Sequence, residues 1–168
     1  MQRRAFLTLS AAAAALSLGG CGFALRKAPN FAFTKLYSGL GEGSPLGVEL
    51  RRSLQSTRKV EVISDARRIN EAQVVLDVLG DQREKVVLST NAAGQVREFQ
   101  LRMRFRFRLR TLAGKELIPD TEILQQRDIS FNESAVLAKE AEENLLYRDM
   151  QSDIVQQILR RLAAVTEI

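Results

Sequence analysis

The chain has 168 residues, with 25 Lys and Arg against 20 Asp and Glu, one Cys, and neither His nor Trp. This length suits one domain preceded by a leader, and 45% hydrophobic residues is enough for one packed core. Without His there is no Ser-His-Asp or Cys-His catalysis and no imidazole metal site. A lone Cys makes neither an internal disulfide nor a Cys-rich zinc site, so no metal or cofactor is expected.

Residues 1–20 read as an address. Arg3 and Arg4 form a positive start, and Ala5 to Leu18 is an almost unbroken apolar run of 14 residues. That is shorter than the roughly 20 residues a helix needs to cross a bilayer, and has the length of a signal segment. The run closes on Leu18-Gly19-Gly20-Cys21, which resembles the bacterial lipobox, where Cys becomes the acylated first residue of the mature chain. A Cys thiolate is the side chain that readily takes a thioether-linked lipid. Gln2-Arg3-Arg4-Ala5-Phe6-Leu7 also resembles a twin-arginine export signal, so both export routes stay open. Gly22 in place of Asp after the Cys points to the outer membrane. The expected organisation is a signal peptide over 1–20 and a single periplasmic domain over 21–168, lipidated at Cys21 and held to a membrane by several acyl chains. Removing Arg3 and Arg4 leaves 23 basic residues against 20 acidic, about +3.

Beyond the leader, Phe31 to Tyr37 reads as a short strand and Ser38 to Gly43 as a flexible loop. Ser44-Pro45 is an N-cap followed by proline at the first helical position. Leu46, Leu50 and Leu54 then recur every four residues and predict an amphipathic helix of about three turns. Val60 and Val62 fit a strand of about five residues, and Ser64 to Asn70 a polar loop. Alternation from Val74 to Leu79 continues through Val86-Val87-Leu88 to the turn residues Asn91-Ala92-Ala93-Gly94.

The most informative segment follows. Phe99, Leu101, Met103, Phe105, Phe107 and Leu109 alternate with Gln100, Arg102, Arg104, Arg106, Arg108 and Arg110. Period two over twelve residues predicts a half-buried strand, one face in a core and the other carrying guanidiniums at a spacing of roughly 6.6 Å. With Ala92-Ala93 at the turn centre, Asp77 falls opposite Arg108, Asp81 opposite Arg104, Val78 opposite Phe107 and Leu76 opposite Leu109. Ala113-Gly114 marks a second turn, after which Ile123, Ile129 and Phe131 alternate with polar residues. Pro119 makes a regular ladder there unlikely.

Asp77, Asp81, Glu122 and Asp128 are the cross-strand partners expected for the arginines, each exposed pair contributing about 0.2–1 kcal/mol. Five guanidiniums exceed these four acids, so the face also suits an acidic or phosphate-bearing partner. Nucleic acid is excluded: RNA-binding sheets stack bases on aromatics of the binding face, whereas Phe99, Phe105 and Phe107 lie opposite the arginines.

The last helix carries a stripe of Leu146, Met150, Ile154, Ile158 and Leu162, widened by Val155, Leu159 and Val165. Glu140, Glu142 and Glu143 near its start and Arg160 and Arg161 near its end complement the helix dipole. The order β-α-β-β-β-β-α predicts an α+β two-layer sandwich: a four- to five-stranded, mostly antiparallel sheet with two helices on one face.

At this point the chain resembles a known family. Cys21-Gly22-Phe23-Ala24-Leu25-Arg26 is similar to the Cys-Gly-aromatic-x-Leu-Arg start of the LPS-assembly lipoproteins of the LptE family. Leu137-Ala138-Lys139 is similar to the lead-in of that family's last helix, and Asp149-Met150 with Gln156 to Leu162 to the helix itself. The resemblance implies a non-enzymatic lipoprotein of the outer membrane. Such a protein plugs the lumen of an LptD-type β-barrel, assists its assembly and helps deliver lipopolysaccharide to the outer leaflet. It implies a lipopolysaccharide contact at Lys139. Arg97 would replace the basic residue that some members carry where this chain has Thr90-Asn91. Arg102, Arg104, Arg106 and Arg108 would face acidic lumen groups or lipid A phosphates. Two other classes compete: a free lipoprotein binding anionic glycolipid or polysaccharide, and a hydrolase using Glu142/Glu143 or Asp149/Asp153.

Overall fold

The computed structural model describes residues 29–168, so the leader, Cys21 and the start of the mature chain lie outside it. The elements are β1 (Lys35–Ser38), α1 (Pro45–Ser56), β2 (Glu61–Ile63), β3 (Val74–Thr90), β4 (Val96–Thr111), β5 (Glu116–Ser130) and α2 (Val136–Ala163). One five-stranded sheet has the order β2-β1-β3-β4-β5. The three long strands form an antiparallel meander, whereas β1 pairs parallel with both β2 and β3. Parallel neighbours need a crossover, and α1 supplies the one from β1 to β2. The result is the expected α+β sandwich on a mixed sheet.

Each helix is tied to the sheet by the stripe that its sequence carries. The Ser44 hydroxyl accepts from the Gly47 N–H at 3.3 Å, and Leu46, Leu50 and Leu54 are buried. In α2, Met150, Ile154, Val155, Ile158 and Leu162 are fully enclosed. They meet Leu101, Phe105, Phe107 and Leu109, which β4 presents at 0% exposure, in one core cluster. Complete burial of a Leu or Phe side chain contributes about 1.5–3 kcal/mol each, before conformational entropy is counted. The helices run in the same direction: Gln151 donates to the Pro45 carbonyl near the start of α1, and Ser56 and Ala163 line one groove at the far ends.

Several local expectations give way to tertiary contacts. Phe31 and Phe33 belong to the core but precede the first ladder residue, Lys35. The stretch after β1 is pinned: the Gly39 N–H donates to the Leu76 carbonyl at 2.9 Å, and a Cβ on Gly39 would sit 2.8 Å from that oxygen. The polar segment before β3 winds into a 3-10 turn over Ala66–Glu71, with the Asp65 carboxylate accepting from the Arg67 N–H at 3.0 Å.

The β3–β4 register is as expected for Asp77 with Arg108, Leu76 with Leu109 and Val78 with Phe107. Asp81 is a correction: it lies opposite Phe105, with Gln82 opposite Arg104. A bulge between Val78 and Gly80 inserts Leu79, and one extra residue moves every later side chain to the other face. Asp81, Arg83, Lys85 and Val87 thus turn to the helix side, and Gln82, Glu84 and Val86 to the bare side. On β5 the ladder shifts twice around Pro119, as its missing N–H leads one to expect.

Candidate partner-binding face

The side of the sheet away from the helices carries Arg102, Arg104, Arg106, Arg108 and Arg110, since the odd residues of β4 occupy the core. The Asp77 carboxylate accepts from both Arg108 and Arg110, each at 2.8 Å. The Arg110 hydrogen bond, reinforced by Arg108, holds that carboxyl below the usual range against the opposing effect of desolvation. Arg106 pairs with Asp120, which holds its guanidinium more firmly protonated. Arg104 comes within 3.8 Å of Glu122, and its Nε is buried without a hydrogen-bond partner. Arg102 donates to the Gln100 amide oxygen at 2.7 Å and forms no ion pair among the described residues.

Two expected partners are corrected. Asp81 has turned to the opposite face, where desolvation raises its carboxyl above the ordinary range. Asp128 takes the Gln100 amide at 3.0 Å instead of a guanidinium. Asp120 fills a place the sequence reading missed, because the register shift at Pro119 carries it to Arg106. The face is therefore partly neutralised at its β2-proximal end, and its charge is least satisfied around Arg102 and Arg104.

Lys139 and Arg97 stand apart from this row. Lys139 lies on the helix side, where its ammonium donates to the Ser130 hydroxyl at 3.0 Å and to Glu142 at 2.8 Å. It lines a cleft of about 230 Å³ with Lys85, Phe99, Ile129, Phe131 and Glu143. Lys85 was not foreseen, since only the bulge brings it to that side. It bonds Glu143 at 2.6 Å and sits 4.3 Å above the Phe99 ring. Arg97 is exposed at the hairpin end of β4. Glu142 and Glu143 thus serve different lysines, Asp153 accepts from Arg127 at 2.9 Å, and Asp149 is exposed. Among the described residues no group of three or more His, Cys, Asp or Glu could hold a metal, and no helix is long and apolar enough to cross a membrane.

This α+β two-layer sandwich is the fold of a class of bacterial lipoproteins. A lipoprotein B from Nitrosomonas europaea superposes with a TM-score of 0.70 at 37% identity, covering 86% of this chain and 92% of that one. The rare lipoprotein B from Shewanella oneidensis gives 0.64 at 25% identity, over 78% and 95% of the two chains. Residues 32–162 match the lipopolysaccharide-assembly family LptE, and the chain belongs to that family. An LPS-assembly lipoprotein LptE from Yersinia pestis is 29% identical over 167 residues, 97% of this chain and 78% of that protein. The general role is accordingly in lipopolysaccharide assembly.

Proposed function

We propose that this protein is an outer-membrane lipoprotein, acylated on Cys21, that plugs and assists the assembly of an LptD-type β-barrel and helps deliver lipopolysaccharide to the outer leaflet. The observation that carries the reading is the arginine row on a sheet face that neither α1 nor α2 covers. Large barrel lumens are polar, and guanidinium forks match carboxylates in such a wall. Arg102 and Arg104 are the first contacts to expect, because their local partners are the poorest. Arg106 and Arg108 hold acidic neighbours that a partner would have to share.

Lipopolysaccharide would meet the other side. Lys139 and Lys85 flank a cleft with an aromatic floor at Phe99, and Arg97 stands at the neighbouring hairpin end. Phosphates would take over the lysine hydrogen bonds now made to Glu142, Glu143 and Ser130. This placement also supports the second reading, a free lipoprotein that binds anionic glycolipid without a barrel. Capture of the tagged full-length protein from detergent-extracted outer membranes separates the two. Co-purification of a large β-barrel is expected. Recovery of the acylated protein with lipopolysaccharide alone would favour the second reading, and a mature protein lacking acyl chains would sink both.

A further inference from the structure

Among the described residues, the backbone of β3 is unpaired along most of its outer side. The Phe131 N–H donates to the Arg97 carbonyl, so odd-numbered residues of β4 turn their backbone groups to β5 and even-numbered ones to β3. On β3 past the bulge, the residues opposite even positions are Gly80, Gln82, Glu84 and Val86. The intervening Asp81, Arg83, Lys85 and Val87 therefore direct their N–H and C=O groups away from β4. Among the described residues nothing pairs with them, because β1 reaches only Val74 to Leu76 and the last bond to β3 on that side comes from Gly39, just after β1. The long edge on β5 is defended differently. It carries Pro119 and the acids Asp120, Glu122 and Asp128, features that discourage pairing. The β3 edge instead ends in the exposed run Val86, Val87 and Leu88, at 38%, 49% and 49%.

Beneath this edge opens a cleft of about 570 Å³ lined by Arg83, Met103, Asn144, Tyr147, Arg148 and Gln151. The Arg83 guanidinium lies 3.3 Å over the Tyr147 ring. Tyr147 is itself fixed by donating to the Glu84 carbonyl at 2.7 Å. Among the described residues neither Arg83 nor Arg148 is in an ion pair, although most other arginines of the sheet are. A strand laid on the edge would drop alternate side chains to this side. An acidic residue opposite Arg83 would meet both free guanidiniums, and an aliphatic residue four places along would cover Val87.

We propose that the β3 edge from Asp81 to Val87 is a docking site for an extended segment of a second protein, added as a further strand with an acidic residue set against Arg83 and an aliphatic one against Val87. A suitable probe is a nine-residue peptide with a central glutamate, valine at each end and threonine elsewhere, which offers the same pattern in either direction. A control peptide carries lysine at the centre. With the full chain, hydrogen exchange at Asp81, Arg83, Lys85 and Val87 should slow at least tenfold on adding the glutamate peptide, while Glu122, Leu124, Gln126 and Asp128 on β5 stay unchanged. Val87→Pro removes an edge N–H without touching the β4 ladder and should weaken binding at least tenfold. If that variant does not fold, Arg83→Glu serves instead and should reverse the preference between the two peptides. Protection on β5, binding that protects no β3 amide, or equal affinity for both peptides would overturn the proposal. So would protection of the same amides in a self-associated chain without peptide, because the occupant would then be a second copy.

Discussion

The two faces of β4 are built from one alternating strand, yet one is sealed in the core and the other stands open with its charges paired at the surface. On the helix side, Leu101, Phe105, Phe107 and Leu109 are sealed beneath α1 and α2. On the bare side, Arg104, Arg106, Arg108 and Arg110 are 29–45% exposed and share three acids, Glu122, Asp120 and Asp77. Burial makes each inner side chain costly to change, whereas solvent and salt screen the outer pairs. The same sequence period therefore yields positions of very different tolerance, one residue apart.

The sharpest way to break this comparison is Phe105→Asp. Truncating a buried Phe already costs about 3–5 kcal/mol, and an unpaired charge there adds to that. The expected result is loss of the cooperative thermal transition seen by circular dichroism. Asp77→Asn is next, since it removes the negative charge shared by Arg108 and Arg110, at a cost of about 1–3 kcal/mol in denaturant unfolding at pH 7. The folded protein holds the Asp77 carboxyl below its unfolded value, so its contribution is full above the ordinary carboxylate range and is lost as pH falls through the folded pKa. The variant should therefore flatten the acid limb of the stability curve. Asp81→Asn should act with the opposite sign. Folding raises that carboxyl, so the protonated form favours the native state and ionisation opposes it. The amide should raise the melting temperature slightly at neutral pH and leave it unchanged at acid pH. Smallest is Arg106→Gln, whose exposed pair with Asp120 is worth no more than about 0.5 kcal/mol to the fold. It should melt like the parent while weakening recovery of the barrel. Equal destabilisation by Phe105→Asp and Arg106→Gln would mean that the two faces are not distinct.

Much of this was legible in the residues. Twelve alternating positions identify β4 and its sides, because a strand's period admits no other half-buried arrangement. The leucine spacing after Ser44-Pro45 and the long stripe from Met150 to Leu162 define the helices by the same reasoning. What was not legible depends on partners distant in sequence. The parallel pairing of β1 rests on contacts of only three residues with each neighbour. The bulge at Leu79-Gly80 leaves only a glycine in a strand as its signal, and missing it misplaces Asp81 and conceals Arg83 and Lys85. The site was read accordingly: the arginine row stands where expected, Lys139 and Arg97 lie elsewhere on the molecule, and Asp120 is reached only through the irregularity at Pro119.

Leu79 therefore acts as punctuation. Were the ladder to run straight through it, pairing Leu79 with Arg106, Arg83 and Lys85 would stand on the arginine side and Gln82 and Glu84 beneath the helices. Two cations would then join a row of five with no residue changed. In this domain the way a strand is paired, as much as its spelling, writes the electrostatic character of a surface.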